Sequence, residues 1–185
     1  MSGGAWAWVA VAVGLLLLFG LYLSMTAGRL DRLHRRVATA AAALDIQLLR
    51  RSAVAVELAS TGVLDPATAV VMGDSAHRAR MAAEDDAVAR GLAESDLTRV
   101  LVLALPDEAE VADLREDPDA ADLLDELAGA CLRVQLSRRF HNDAVRACRQ
   151  VRRQRAVRWL SLAGHTPWPQ TLEMDDTPPP GLPPR

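Results

Sequence analysis

Residues 29–60 read RLDRLHRRVATAAAALDIQLLRRSAVAVELAS. Within this stretch Leu30, Leu33, Val37, Ala41, Leu44, Leu48, Ser52, Ala55 and Ala59 fall into an eleven-residue repeat of about 3.67 residues per turn, which keeps one stripe on a nearly straight helix. The spacing predicts an unbroken helix to about Ser60, with this stripe buried. Gly62, then Asp65 with Pro66, end it and start another, because Asp caps an amino terminus well and Pro fits the first helical position.

Upstream, Ala5 to Met25 carries no charge, and Trp6, Trp8, Leu15 to Phe19, Leu21, Tyr22 and Leu23 make it strongly apolar. About 20 such residues cross a bilayer core as a helix. The two indoles near one end suit the headgroup boundary. A cleavable signal peptide needs a basic stretch before the apolar run and small residues ahead of a cleavage site; no Arg or Lys precedes the segment, and Ser24, Met25, Thr26 and Ala27 make a poor cleavage site. Arg29, Arg32, Arg35 and Arg36 follow at once, opposed only by Asp31. Arginines beside a span stay cytoplasmic, so the amino terminus is expected outside and the remaining chain inside, at the plasma membrane. Ala10 with Gly14 is a weak small-xxx-small pair.

Downstream, a second helix is expected from Pro66 to about Ala93, its apolar surface supplied by Val70, Val71, Ala79, Ala82, Ala83, Val88 and Leu92. Ser95 or Asp96 caps a third segment, Leu97 to Leu105, read as helix because a lone strand has no partner. Pro106 breaks it. Asp117 with Pro118 starts a long helix to about Ala163, with Leu123, Leu127, Leu132, Leu136, Phe140, Ala144, Ala147 and Val151 as its buried stripe. Gly164 terminates it. Trp168, Leu172 and Met174 dock a short segment, while Pro178 to Arg185 buries almost nothing and is expected to be disordered. The expected architecture is all-α: a transmembrane helix over 5–25, an antiparallel long-helix bundle over 29–163 and a tail over 164–185.

Composition agrees with helices. Half of the 185 residues are hydrophobic but only 4% are aromatic, too few for a sheet-rich chain. Charge is partitioned: acidic residues outnumber arginines roughly three to one between Asp65 and Glu126, whereas Arg133 to Arg158 is basic. Every basic residue is Arg, a pattern that compositional bias toward Arg and Ala accounts for. Arg138, Arg139, Arg146, Arg149, Arg152 and Arg153 share one helix face, either as a solvated surface or as a contact for anionic lipid. No aromatic residues are interleaved for base stacking, which argues against nucleic acid.

The chemistry-bearing patterns are thin. Asp31 with His34 and Asp74 with His77 repeat a D-x-x-H spacing, but they fall about 30 Å apart along an antiparallel helix pair and cannot share a metal. Cys131 and Cys148 lie on one helix about 25 Å apart, too far to bridge, and read as packing residues. His141 and Asp143 near Cys148 lack an oxyanion site. There is no phosphate loop, no G-x-S-x-G and no H-E-x-x-H. No cofactor is implied.

Leu44, Asp45, Ile46, Gln47, Leu48, Leu49, Arg50 and Arg51 resemble the I-D-V-Q-L-x-R-R stretch of the LemA family, and Phe140 to Val145 resembles its Y-N-D-A-V motif, preceded by Arg138. Asp117, Pro118 and Asp119 fall where that family carries its Y-P-D-L turn. The resemblance runs from the apolar segment to about Val145. It implies an amino-terminal membrane helix followed by a long-helix bundle, and brings no catalytic residues. The chain departs from the family at Ala41, where Trp is usual, at Cys131, where Glu is common, and throughout the region after Val145.

Two groups stand out as sites. Asp45, Gln47 and Arg51 are expected to meet Asn142 and Asp143 in a polar clasp that fixes helix register, a ligand-binding patch being the alternative. Arg29, Arg32, Arg35 and Arg36, with Arg152, Arg153, Arg155 and Arg158 returning to the bilayer, are expected to contact anionic lipid. The function expected from these features is that of a non-enzymatic, single-pass membrane protein acting as an interaction or scaffold protein for a protein partner. The alternative is a membrane-associated enzyme or ligand sensor with a cleft between helices.

Overall fold

Four aspartates set the helix starts. Asp65 accepts from the Ala67 and Thr68 amides at 3.0 and 3.1 Å, Asp86 from Val88 and Ala89, Asp107 from Glu110, and Asp117 from Asp119 and Ala120. Each satisfies amides that lack intrahelical partners and places negative charge at a positive helix end. The computed structural model describes residues 3–82, 86–159, 164 and 166–182. Its helices are α1 (Gly3–Ser60), α2 (Pro66–Met81), α3 (Ala87–Ala104), α4 (Glu108–Leu114), α5 (Pro118–Arg152) and α6 (Arg155–Trp159). No strand occurs among the described residues. The protein is all-α.

The α1 stripe is where the repeat places it: Leu30, Leu44, Leu48, Ser52 and Ala55 are buried, and Leu33, Val37, Ala41 and Ala59 half-buried. After Ser60, Gly62 takes φ +83°, a left-handed conformation that glycine adopts without strain.

Three boundaries differ from expectation. The second helix stops at Met81, and Asp86, not Ser95 or Asp96, caps the next. Ser95 and Asp96 lie within α3, where Ser95 donates to the Gly91 carbonyl and Asp96 pairs with Arg99. The long helix ends at Arg152, not near Ala163; α6 follows, and 160–163 lie outside the described residues. The tail is packed as far as Leu182, which is 2% exposed, and only the last three residues of the expected disordered stretch fall outside the described ones. Hydrogen bonds from helix side chains to its main chain replace the regular structure that the tail lacks.

The buried faces also shift. In α2 and α3, Val70, Val71, Val88 and Leu92 are exposed and Met72, Ala76, Ala79, Leu97 and Leu101 fill the core; Ala83 lies outside the described residues. In α5, Leu132, Leu136 and Phe140 are exposed, and Ala130, Cys131, Val134, Val145 and Cys148 are buried instead.

The expected span 29–163 is shared between two compact units: Met1–Ala38 with Ala144–Pro169, and Thr39–Asp143 with Gln170–Arg185. The division in α1 falls in a run of alanines and one threonine, 38–43, whose small side chains bury little area. In the first unit Leu30, Cys148, Val151 and Val157 cluster, flanked by Leu33 and Val37. The second holds the larger core, from Val54 and Leu58 of α1 through Leu97, Leu101, Leu124 and Leu127 to Leu182 of the tail. There Arg50 pairs with Glu126 and Gln47 accepts from Arg133 at 3.1 Å, so these parts of α1 and α5 run antiparallel.

Candidate interaction sites

In the second unit the tail crosses α3 and α5 as an extended strap, held mainly through its backbone. Asn142 on α5 is 4% exposed and bonds Leu172 twice: its amide donates to the Leu172 carbonyl at 3.1 Å, and its carbonyl accepts the Leu172 N–H at 3.0 Å. A side-chain amide matches a peptide unit in this way because it carries the same donor and acceptor. Gln135 donates to the Asp176 carbonyl at 2.6 Å, and Nε2 of His141 lies 3.1 Å from the Gln170 carbonyl. That carbonyl can only accept, so Nε2 carries the proton. From α3, Ser95 accepts the Asp175 N–H at 2.9 Å and Thr98 faces the Asp175 carbonyl at 2.9 Å.

Side chains anchor the strap besides these main-chain bonds, Leu182 in the larger core among them. Leu172 is buried with Leu44, Leu48 and Val134. Asp176 receives Nε and a terminal N–H of Arg138, both at 2.8 Å. Asp175 is held below the usual carboxylate range, first by the Thr177 hydroxyl, then by the Thr177 amide, with lesser help from Arg99 and Arg51. Glycine makes the approach possible: a Cβ on Gly91 would sit 2.2 Å from the Glu173 carbonyl oxygen, and one on Gly181 2.5 Å from that of Asp107.

Beneath the strap lies a buried ion pair. Arg51 reaches Glu94 at 2.6 Å and the Thr98 hydroxyl at 3.0 Å, with both charged side chains only 2–3% exposed. Thr98 therefore joins the ion pair to the strap. Cys131 is buried nearby, and desolvation pushes its thiol pKa up against the opposing pull of Arg51.

The expected clasp is thus redistributed. Asp45 pairs with Arg90 at 2.7 Å, Gln47 meets Arg133, Arg51 meets Glu94, and Asn142 meets Leu172. Asp143 is exposed. Arg51 and Asn142 are buried polar groups, but their partners lie on α3 and the tail. The partners were missed because helical periodicity says nothing about which third element covers a stripe; the detectable signal was the polar pair His141 and Asn142 in an otherwise apolar buried series.

In the first unit, Arg29, Arg32, Arg35 and Arg36 are exposed just beyond the apolar part of α1. Val157 packs with Leu30, leaving Arg155, Arg158 and Trp159 exposed, the indole at 87%. Arg153 is exposed as well. Arg152 does not belong with them: it donates to the Pro167 and Thr166 carbonyls at 2.7 and 2.9 Å and stacks over Trp168 at 4.9 Å. Its guanidinium is committed to holding the tail. Arg149 is likewise bonded to the Pro169 carbonyl at 2.7 Å. His34 is lowered below its ordinary value by burial and then by Arg152, against Asp31.

Of the other candidates, Asp74 pairs with Arg78, His77 is exposed, and both cysteines are free and buried. Among the described residues no group of three or more His, Cys, Asp or Glu side chains is placed to hold a metal. Among the described residues one helix is long and apolar enough to cross a membrane, and only 6% of its most apolar stretch is buried. No family model matches the chain, and no curated protein or solved structure does.

Proposed function

We propose that the chain is a single-pass, membrane-anchored helical-bundle protein that works by binding another protein, without catalysis, at the cytoplasmic face of the plasma membrane. The observation that carries this reading is the contrast within α1. Trp6, Trp8, Leu15 to Phe19, Leu21 and Tyr22 are all exposed, whereas the same helix buries Leu30, Leu44 and Leu48. Each large apolar side chain left in water forgoes about 1.5–3 kcal/mol, so a run of this length calls for lipid. The arginines immediately after it favour the cytoplasmic side for the bundle. The resemblance to the LemA family belongs to the same proposal and adds no chemistry to it.

Anionic lipid contact is part of this reading in revised form. It falls to Arg29, Arg32, Arg35, Arg36, Arg153, Arg155 and Arg158, with Trp159 beside them and Arg152 removed. Each arginine near an anionic surface contributes on the order of 1 kcal/mol, attenuated by salt. Reporter fusions at both ends test the topology: an external signal from a carboxy-terminal fusion refutes the cytoplasmic placement. Tryptic cleavage at Arg155 and Arg158 should be slower in anionic than in neutral nanodiscs, and equal rates remove the lipid contact.

A further inference from the structure

We propose that the groove between α3 and α5 is a binding site for extended peptides, that the tail is its intramolecular occupant, and that an acidic segment of a partner replaces it. The pattern recognised is large apolar–Leu–x–x–x–Asp. This deepens the interaction-protein reading and rests on it.

Three observations carry the proposal. The groove reads main chain: Asn142, Gln135, Ser95 and Thr98 all bond backbone atoms of the strap, and between Gln170 and Thr177 only Leu172 is buried. Such recognition tolerates other sequences, with specificity left to side-chain pockets. The groove floor is polar. Asn142 is 4% exposed and the Leu172 main chain satisfies both ends of its amide, while Thr98, 1% exposed, adds the Asp175 carbonyl to its contacts with Arg51 and the Glu94 carbonyl; a seam built only for permanent closure gains more from apolar side chains.

Finally, the tail fills the groove incompletely. A cleft of about 190 Å³ runs beside Thr171 and Glu173 against Ala87, Val88, Gly91 and Leu92. Val88 and Leu92 are 72% and 64% exposed there, so the tail leaves apolar surface uncovered. A peptide with a large apolar residue in place of Thr171 covers that surface and keeps every main-chain bond. The acidic requirement comes from Arg138, which takes the Asp176 carboxylate.

The test uses the full chain in detergent micelles and a fluorescent peptide of residues 170–182, QTLEMDDTPPPGL. The wild-type chain should bind it poorly, because a tethered tail competes at an effective concentration of roughly millimolar. Asp176→Arg in the chain sets like charge against Arg138 and ejects the tail; the unmodified peptide should then bind on the order of a hundredfold more tightly. A peptide with Thr171→Leu should gain about tenfold more, and adding Asn142→Ala to the chain should weaken binding by roughly ten- to a hundredfold. The proposal is overturned if Asp176→Arg retains wild-type helicity, exposes its tail to protease and still binds no peptide, or if the Thr171→Leu peptide is no tighter than the native one.

A measurement on the wild-type chain covers the case in which Asp176→Arg does not fold. Excess Thr171→Leu peptide should accelerate hydrogen exchange at the chain's own Leu172 amide, and an unchanged rate overturns the proposal. Topology is scored separately by the reporter fusions, so peptide binding with an external bundle keeps the groove and refutes only the cytoplasmic placement.

Discussion

Arg51→Met probes the second unit where it is most electrostatically committed. The substitution keeps an unbranched side chain of similar length but strands the Glu94 carboxylate, 3% exposed, without its cation. It also removes the bonds from Arg51 to the Thr98 hydroxyl and to the Glu94 carbonyl. Breaking one side of a buried pair costs about 3–5 kcal/mol, against a total stability of about 5–15 kcal/mol for a domain. The lower part of that range is expected, because Nε of Arg51 already lacks a hydrogen-bond partner and its removal relieves a cost. The double variant Arg51→Met with Glu94→Leu should recover at least half of the loss, since no buried charge then remains. Urea unfolding of the full chain in micelles, followed by helical circular dichroism and by labelling of the buried Cys131 thiol, reads both effects. A loss below about 1 kcal/mol for Arg51→Met, or a double variant no better than the single, would refute the assignment of this pair as a buried, mutually dependent unit.

Asn142→Ala removes both bonds to Leu172 and should cost about 1–3 kcal/mol, read as faster exchange of the Leu172 amide; unchanged protection there would mean Leu172 is held by its side chain alone. Gly91→Ala should raise the intrinsic stability of α3 by about 1 kcal/mol while lifting the strap, because the new Cβ meets the Glu173 carbonyl. Limited proteolysis should then cut the tail faster with the helical core intact, and no change in tail cleavage would refute the close approach. The pH dependence of the first unit follows from His34, whose folded pKa lies below its ordinary value. Protonation therefore favours the unfolded form: packing at Leu30 and Val157 is fully supported above about pH 6.5 and weakens as pH falls through that value toward the lowered one. His34→Gln should flatten this dependence in Cys148 thiol labelling, and a persistent pH effect would assign it elsewhere.

The sequence was most legible where a repeat runs long. The stripe of α1 from Leu30 to Ala59 keeps its phase across several turns, and the two Asp-Pro starts carry a local mechanism that needs no tertiary context. Legibility failed where the third dimension chooses between faces. Leu132, Leu136 and Phe140 form as regular a series as the true one, yet they stay exposed while Val134, Asn142 and Val145 go inside. What decides it is the strap, which covers the Asn142 side of α5 with an extended segment that has no periodicity to detect. The cap at Asp86 was hidden for a different reason: it ends an acidic run, Glu84 to Asp86, inside alanine-rich sequence that reads as continuous helix. For the clasp, Arg51 and Asn142 were recognisable as special, but Glu94 and the Leu172 main chain are non-local partners whose identity depends on docking.

The strap and the ion pair are energetically one network, because Thr98 bonds Arg51 on one side and faces the Asp175 carbonyl on the other. With the strap in place, Arg51 and Glu94 interact in a medium of low effective dielectric and hold Thr98 in the orientation that receives the tail. Lifting the strap admits water, which screens the pair and frees the threonine rotor. An empty groove is then less stable than one filled by either the tail or a peptide of the same form. Exchange of one extended segment for another keeps Asn142 and Gln135 bonded, whereas simple opening leaves them to water. On the proposed exchange, a partner segment has only to exceed the tail's hold on the groove, and the cleft beside Thr171 is where the tail leaves that margin.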